Sequence, residues 1–268
     1  MSGFHITPPN WTLGATVTAN STKSTDVGAS NLLFVQRSRK WRSAALGTLR
    51  LTFDGGTEKP WDTVDMRGHN GFTGTVQVFA SNVLANVFTT PTYTSAIKTL
   101  RFPGDLTAFT EYDTWIYTGA LRSHRYIGIQ IIDNANPEGF FELGVVIIGV
   151  KFEPRLGPDI GAQVSRDDPS VRVRLLNGEG ITRPKRAIDM VNFSFPKQSP
   201  TETLRWKQIN RIYGSKIPMG FKWDPIIAGQ QSEQYGMYYG YATWPSGGTF
   251  TSATGHGDND VQMGIEEL

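Results

Sequence analysis

The residues that could do chemistry are few and scattered. The chain holds four histidines, His5, His69, His124 and His256, and no cysteine. No two histidines stand at i, i+4, and none has the spacing of a metal-ligand set. No G-x-S-x-G elbow, G-x-G-x-x-G loop or P-loop occurs. Without cysteine there is no thiolate zinc site, no Fe–S cluster, no disulfide framework and no Cys nucleophile. His69, in Gly68-His69-Asn70, could be a general base beside Asp65 or a turn histidine held by its neighbours. Asp258, Asn259 and Asp260 could offer oxygens to a calcium ion; lacking the spacing of an EF-type loop, the run also fits a solvated acidic turn. Glu142 follows the apolar Phe140-Phe141. It is either a buried acid with a raised pKa or a carboxylate paired with an arginine such as Arg122 or Arg125. Nothing assembles a nucleophile, a base and an orienting group, so no catalytic residue, metal or cofactor is expected, and the chain does not read as an enzyme.

Binding chemistry is better represented. Tyr235, Met237, Tyr239 and Tyr241 would share one face of a strand, with Trp244 just beyond. Tyrosine and tryptophan suit half-buried strand positions, subunit interfaces and sugar stacking alike. Charge is unevenly spread. Residues 151–222 carry 14 Lys/Arg and 7 Asp/Glu, whereas residues 223–268 carry six acids and no base. The two stretches could fold against each other, or the acidic edge of one copy could dock on the basic edge of the next. On the second reading Arg172 and Arg174, with Tyr235, Tyr239, Tyr241 and Trp244, are the candidate interface residues. The arginines from Arg166 to Arg186 alternate with Val and Leu. They therefore read as one exposed sheet face, solvated or protein-facing, more readily than as a phosphate-contacting surface. The net charge of +2 supplies no global field for nucleic acid.

The elements that must position these residues are mostly strands. There are 29 Gly and 15 Pro among 268 residues, and aromatics reach 12%, which favours a turn-rich β protein. Period-2 alternation marks strands at Leu49–Phe53, Val76–Val78, Tyr126–Ile131, Val171–Leu175 and Val191–Phe195. The apolar run Val145–Val150 reads as a strand buried on both faces. Asp54-Gly55-Gly56, Gly68-His69-Asn70-Gly71 and Asp133–Gly139 punctuate them. One helix is expected, about 200–213. Ser199-Pro200-Thr201-Glu202 is a capping box with proline at the first helical position, Leu204, Ile209, Ile212 and Tyr213 form an apolar stripe, and Gly214 is the stop. Strands should follow near Met219–Trp223, Tyr235–Trp244 and Asp260–Glu266. Pro and Gly at 154–158 suggest two domains, 1–154 and 155–268. No apolar run approaches the ~20 residues of a membrane span, and Met1–Asn10 has no signal-peptide pattern.

Two segments resemble known families. Trp41-Arg42-Ser43, Val64-Asp65-Met66-Arg67-Gly68-His69-Asn70, Gly74-Thr75-Val76-Gln77-Val78-Phe79-Ala80-Ser81-Asn82 and Arg125-Tyr126-Ile127-Gly128-Ile129 come in the order and spacing of discoidin-like (galactose-binding-like) β-sandwiches. That resemblance covers about residues 25–152, and the usual cysteine pair is missing. It implies a jelly-roll sandwich whose sugar or lipid specificity lives in variable loops, so no binding residue is carried over; Phe72 and Trp61 are the loop aromatics whose change would test glycan binding. Asn134–Gly144 and Gly220-Phe221-Lys222-Trp223-Asp224-Pro225 resemble stretches of tail proteins of tailed bacteriophages. They imply a tail-tube-like or distal-tail-like β-sandwich with one helix over 155–268. From this follows the expectation of a structural protein of a tail tip or baseplate in the virion. It would form a homo-oligomeric ring, a hexamer, that joins the tube to hub, tape-measure and host-recognition proteins. The alternative is a carbohydrate-binding module that recognises cell-surface glycans.

Overall fold

Two of the period-2 runs of the first half, Leu49–Phe53 and Tyr126–Ile131, are pieces of two much longer strands. The computed structural model describes residues 4–34, 36–101, 111–158, 163–167, 171–174, 180–183, 188–223, 237–243, 251–252 and 259–268. In chain order the strands are β1 (Phe4–Thr7), β2 (Thr16–Ala19), β3 (Trp41–Arg42), β4 (Thr48–His69), β5 (Thr75–Ser81), β6 (Tyr93–Thr94), β7 (Lys98–Thr99), β8 (Tyr112–Ile132), β9 (Glu142–Leu143) and β10 (Val145–Gly149). Then come β11 (Gln163–Asp167), β12 (Val171–Arg174), β13 (Gly180–Arg183), β14 (Ile188–Gln198), helix α1 (Pro200–Ile212), β15 (Met219–Trp223), β16 (Met237–Thr243), β17 (Thr251–Ser252) and β18 (Asn259–Glu267). The protein is mainly β, as composition and alternation led one to expect.

The chain divides into two compact units. The sandwich unit comprises His5–Glu153 with Met219–Met237; the helix-bearing unit comprises Met1–Phe4, Pro154–Pro218 and Tyr238–Leu268. In the sandwich unit β4 and β8 pair antiparallel along their whole length, from Thr48↔Ile132 to His69↔Tyr112. The pairing shifts between Asp54 and Lys59 and again between Trp61 and Thr63. Each shift lets a strand bend. Asp54-Gly55-Gly56, expected as a turn between strands, is therefore a kink inside one strand. Gly119, at φ +82°, takes the matching bend in β8, where a side chain would be strained.

The bends also switch which residues face inward. Leu49, Leu51 and Phe53 are buried before the kink, and Val64 and Met66 after it. On β8, Ile116 is followed by Ile127, Ile129 and Ile131. One strand pair thus supplies both layers of the sandwich. The first half carries β2 on β4 and β5 on β8; the second carries β10 on β4. Trp11, Trp41 and Trp61 fill the core and are wholly inaccessible. Each such side chain contributes about 1.5–3 kcal/mol or more in burial.

The outer face of the second layer is polar and buried as well. Asp65, Arg67 and Asp113 project there, and β15 of the same unit covers them: Arg67 Nη2 donates to Phe221 O at 3.2 Å. Only glycine fits at Gly220, since a Cβ there would lie 1.9 Å from Asp65 Oδ2.

In the helix-bearing unit β11, β14, β18 and β16 lie side by side, with β17 on β18. α1 begins where expected. Ser199 Oγ accepts from Glu202 N at 3.3 Å, and Glu202 Oε2 accepts from Ser199 N at 3.0 Å. Its buried face differs from the expected stripe: Thr203, Trp206 and Ile209 are inside, while Leu204 and Ile212 are exposed. The large indole of Trp206, packed 4.8 Å from the ring of Phe195, sets the helix rotation.

Candidate functional site

The loops after β4 and after β8 meet at one end of the sandwich, where β5 begins. His69, the last residue of β4, is fully buried. Its Nδ1 accepts from Gly71 N at 3.1 Å. Thr114 Oγ1 donates to Leu100 O, so the 2.8 Å contact between His69 Nε2 and that hydroxyl places the ring proton on Nε2. Burial holds the imidazole pKa down to about 4. With both nitrogens engaged and no access to solvent, His69 is the turn histidine of the two readings, not a base beside a substrate.

Asn70 then ties the two loops together. Its Nδ2 donates to Phe140 O at 3.2 Å, its Oδ1 accepts from Glu142 N at 2.7 Å, and its carbonyl accepts from Asn136 Nδ2 at 2.9 Å. Asp133 fixes the next residue pair: its Oδ2 accepts from Phe72 N at 2.8 Å and from Asn136 Nδ2 at 3.1 Å. Side-chain acceptors thus do for this turn what a strand partner does for a ladder. The result is a fixed backbone that presents the Phe72 ring, 38% exposed, to solvent. The guanidinium of Arg101 lies alongside, its Cζ 5.7 Å from the centre of Phe72 and 4.7 Å from that of Tyr112.

The loop that Asn70 ties down carries paired charges. Arg42 Cζ sits 4.1 Å over Phe140, and Lys23 Nζ is 5.9 Å from the same ring. Glu142 takes the Arg42 guanidinium and Lys40, at 3.3 Å for the lysine. Its partners are therefore on β3 and the loop before it, not Arg122 or Arg125. Arg125 instead forks onto Asp54 at 2.9 and 3.0 Å. Glu111 joins Arg37 at 3.1 Å and Lys40 at 2.8 Å. Deeper, Asp113 accepts from Arg67 and from Gly68 N. Burial opposes its ionisation, but the Arg37 and Arg67 guanidinium groups more than offset this and hold its carboxyl below the usual range.

Of the two aromatics expected in the binding loops, Phe72 is at the tip and Trp61 is not. Trp61 is fully buried, its Nε1 donating to His124 Nδ1 at 3.1 Å. It follows the β4 kink, so it turns into the core. Arg101 and Asp133 complete the tip; the sequence marked Asp133 only as part of a turn and Arg101 not at all. Asp133 opens a recognisable turn run, whereas nothing local singles out Arg101.

The expected interface residues lie elsewhere. Arg172 and Arg174 are on β12, opposite Thr182 and Gly180 of β13. Tyr239 is buried on β16, and its carbonyl accepts from Leu268 N at 2.9 Å. Tyr241 is half-buried, opposite Glu266. Tyr235 and Trp244 fall outside the described residues, as does Asp258. Asp260 accepts from Lys197 N at 3.0 Å. Among the described residues no group of three or more His, Asp or Glu could hold a metal ion, and no helix is long and apolar enough to cross a membrane.

No protein-family model matches the chain, and no curated protein matches it. Solved structures do. A point mutant of chitosan-binding module 1 from the chitosanase/glucanase of Paenibacillus sp. IK-5 is 18% identical with a TM-score of 0.40, over 54% of this chain and 98% of that one. The family 32 carbohydrate-binding module of C. perfringens NanJ, in complex with galactose, is 13% identical with a TM-score of 0.40, over 56% and 99%. The corresponding module of AlyQ, in complex with 4,5-unsaturated mannuronic acid, is 18% identical with a TM-score of 0.35, over 50% and 92%.

Proposed function

We propose that the sandwich unit is a carbohydrate-binding module that holds a glycan against the Phe72 tip. The observation that carries this is an exposed aromatic ring on a backbone fixed by side-chain acceptors, with a guanidinium beside it. The C–H face of a sugar ring packs on such a plane and leaves its hydroxyls free for charged donors and acceptors at the rim. A loop already ordered loses little conformational entropy on contact. The motifs Val64–Asn70 and Gly74–Asn82 support the same reading through their resemblance to glycan-binding sandwiches. The test is a glycan array followed by calorimetry on the best ligand. Phe72→Ala should weaken binding at least about tenfold, the scale of one stacked ring. It should leave the melting temperature nearly unchanged. Retention of full affinity by the variant, or an array without a single hit, overturns the proposal.

A second reading draws on a different observation, the opposed charge of residues 151–222 and 223–268. On it the chain is a structural component of a bacteriophage tail tip or baseplate, located in the virion and assembled into a ring by contacts between copies that include Arg172 and Arg174. The two readings are compatible, since a glycan-binding sandwich could decorate such a ring. Mass photometry at physiological salt should show closed rings that Arg172→Glu/Arg174→Glu converts to folded monomers. A wild-type chain that stays monomeric excludes this role.

A further inference from the structure

A second cluster stands at the other end of β5 from Phe72, roughly 20 Å away at the strand rise per residue. Tyr93 pairs there with Ala80, and Arg122 with Trp61. The Arg122 guanidinium lies on the Tyr93 ring, Cζ 4.0 Å from its centre. Trp61 abuts the same ring at 5.6 Å, nearly perpendicular, and holds it in place. Arg37, Arg42, Arg67 and Arg125 of this unit each rest on a carboxylate. Arg122 rests on none among the described residues: its polar neighbour is the Tyr93 hydroxyl, and its Nε is buried without a hydrogen-bond partner. A half-buried guanidinium whose Nε lacks a hydrogen-bond partner, with no carboxylate on it among the described residues, is incompletely compensated, and an arriving anion improves that.

The surroundings say which kind of anion. His124 Nδ1 accepts from Trp61 Nε1, which puts the proton of the neutral ring on Nε2, and burial holds its pKa below the usual histidine value. Glu58, exposed and held by Asn82 Nδ2 at 3.2 Å, is close enough to His124 to act on its charge. A fully ionised inorganic anion has no proton to offer a carboxylate acceptor. A saccharide that bears a carboxylate has one, because its hydroxyls both donate and accept.

We propose that Arg122, clamped on Tyr93, anchors an acidic-saccharide subsite: its guanidinium fork takes the sugar carboxylate, and the exposed Glu58 carboxylate accepts from a neighbouring hydroxyl. The subsite shares no residue with the Phe72 tip and goes beyond the glycan contact proposed there.

The test is a nuclear magnetic resonance titration of the full chain with D-galacturonate, D-galactose and sodium acetate at matched ionic strength. Galacturonate should shift the Arg122 Nε–H and Trp61 indole resonances saturably, and galactose and acetate at least about tenfold more weakly. Arg122→Gln should lose the response, Arg122→Lys should keep part of it, and Phe72→Ala should keep all of it. An unshifted Trp61 indole in the unliganded variants verifies that the core is intact. An equal response to acetate means an adventitious ion only and overturns the subsite. So does an absent response, one that survives Arg122→Gln, or one abolished by Phe72→Ala, which would place the acidic sugar at the other end. Failure of the Phe72 reading alone appears as lost neutral-glycan binding with the galacturonate response intact.

Discussion

Arg67 Nη2 donates to Asp65 Oδ2 at 2.6 Å, and neither side chain is accessible to solvent. The same guanidinium reaches Asp113 at 3.1 Å and Phe221 O at 3.2 Å. One cation thus serves two buried carboxylates and the backbone of β15. Asp113 has a second arginine and a backbone N–H. Among the described residues Asp65 has neither, and burial raises its pKa to about 6, against the pull of Arg67.

This arrangement predicts an uneven response to substitution. Arg67→Met should cost about 3–5 kcal/mol, because the buried Asp65 loses the guanidinium it rests on and Asp113 loses one of its two. Asp65→Asn should cost far less, since Asp113 still holds Arg67. Urea unfolding of both variants checks the order; equal losses would mean that Arg67 acts by packing alone.

The pH dependence follows from two shifts of opposite sign. Asp65 binds its proton more tightly in the folded state, about 6 against 3.8, so its contribution to stability grows as pH falls through 6 and is complete below 3.8. His69 binds its proton less tightly, about 4 against 6.5, so its contribution is lost as pH falls from 6.5 towards 4. At about 1.4 kcal/mol per pKa unit each is on the order of 3 kcal/mol, and they largely cancel in wild type between pH 4 and 6.5. Asp65→Asn should unmask the histidine and make stability fall steeply over that window. A profile as flat as wild type in the variant would refute the assignment.

The Phe72 tip should depend on Asp133. Asp133→Ala removes the acceptor of Phe72 N and frees the loop, which should weaken glycan binding through ordering cost, by about 1–2 kcal/mol. Hydrogen exchange at Phe72 N should quicken in parallel. Weakened binding with unchanged exchange would point to a direct contact by Asp133 instead.

The helix start gives a local control. Ser199→Ala should destabilise the helix-bearing unit by about 1 kcal/mol. Glu202 is held below its usual pKa: burial raises it, and hydrogen bonds from Ser199 and Arg155 N lower it further. Its contribution is therefore present above pH 4.5 and disappears as pH falls through the folded value. Circular dichroism melts of Ser199→Ala and Glu202→Gln at pH 7 and pH 3 test this: the wild-type advantage over Glu202→Gln should be smaller at pH 3 than at pH 7.

Several features were legible because their causes are local. The capping box starts α1 through hydrogen bonds among four consecutive residues, and alternation along Ile127, Ile129 and Ile131 reports a face buried at period two. Gly68-His69-Asn70 marked the end of β4 through turn chemistry. The buried face of α1 was misplaced because Leu204 and Trp206 both look apolar in sequence, and only the Phe195 side of the sheet chooses between them.

What the chain determined by itself is thus its β character, the helix start and the turn that carries Phe72, all set by neighbours a few residues apart. Tertiary structure decided the rest. It drew Trp61 into the core through a mid-strand kink, brought Asp133 under Phe72 from 61 residues away, and laid Phe221 on Arg67 across 154. It also left Arg122 with no carboxylate on it among the described residues. Burial and charge pairing at such distances depend on which surfaces meet, and no local pattern encodes that.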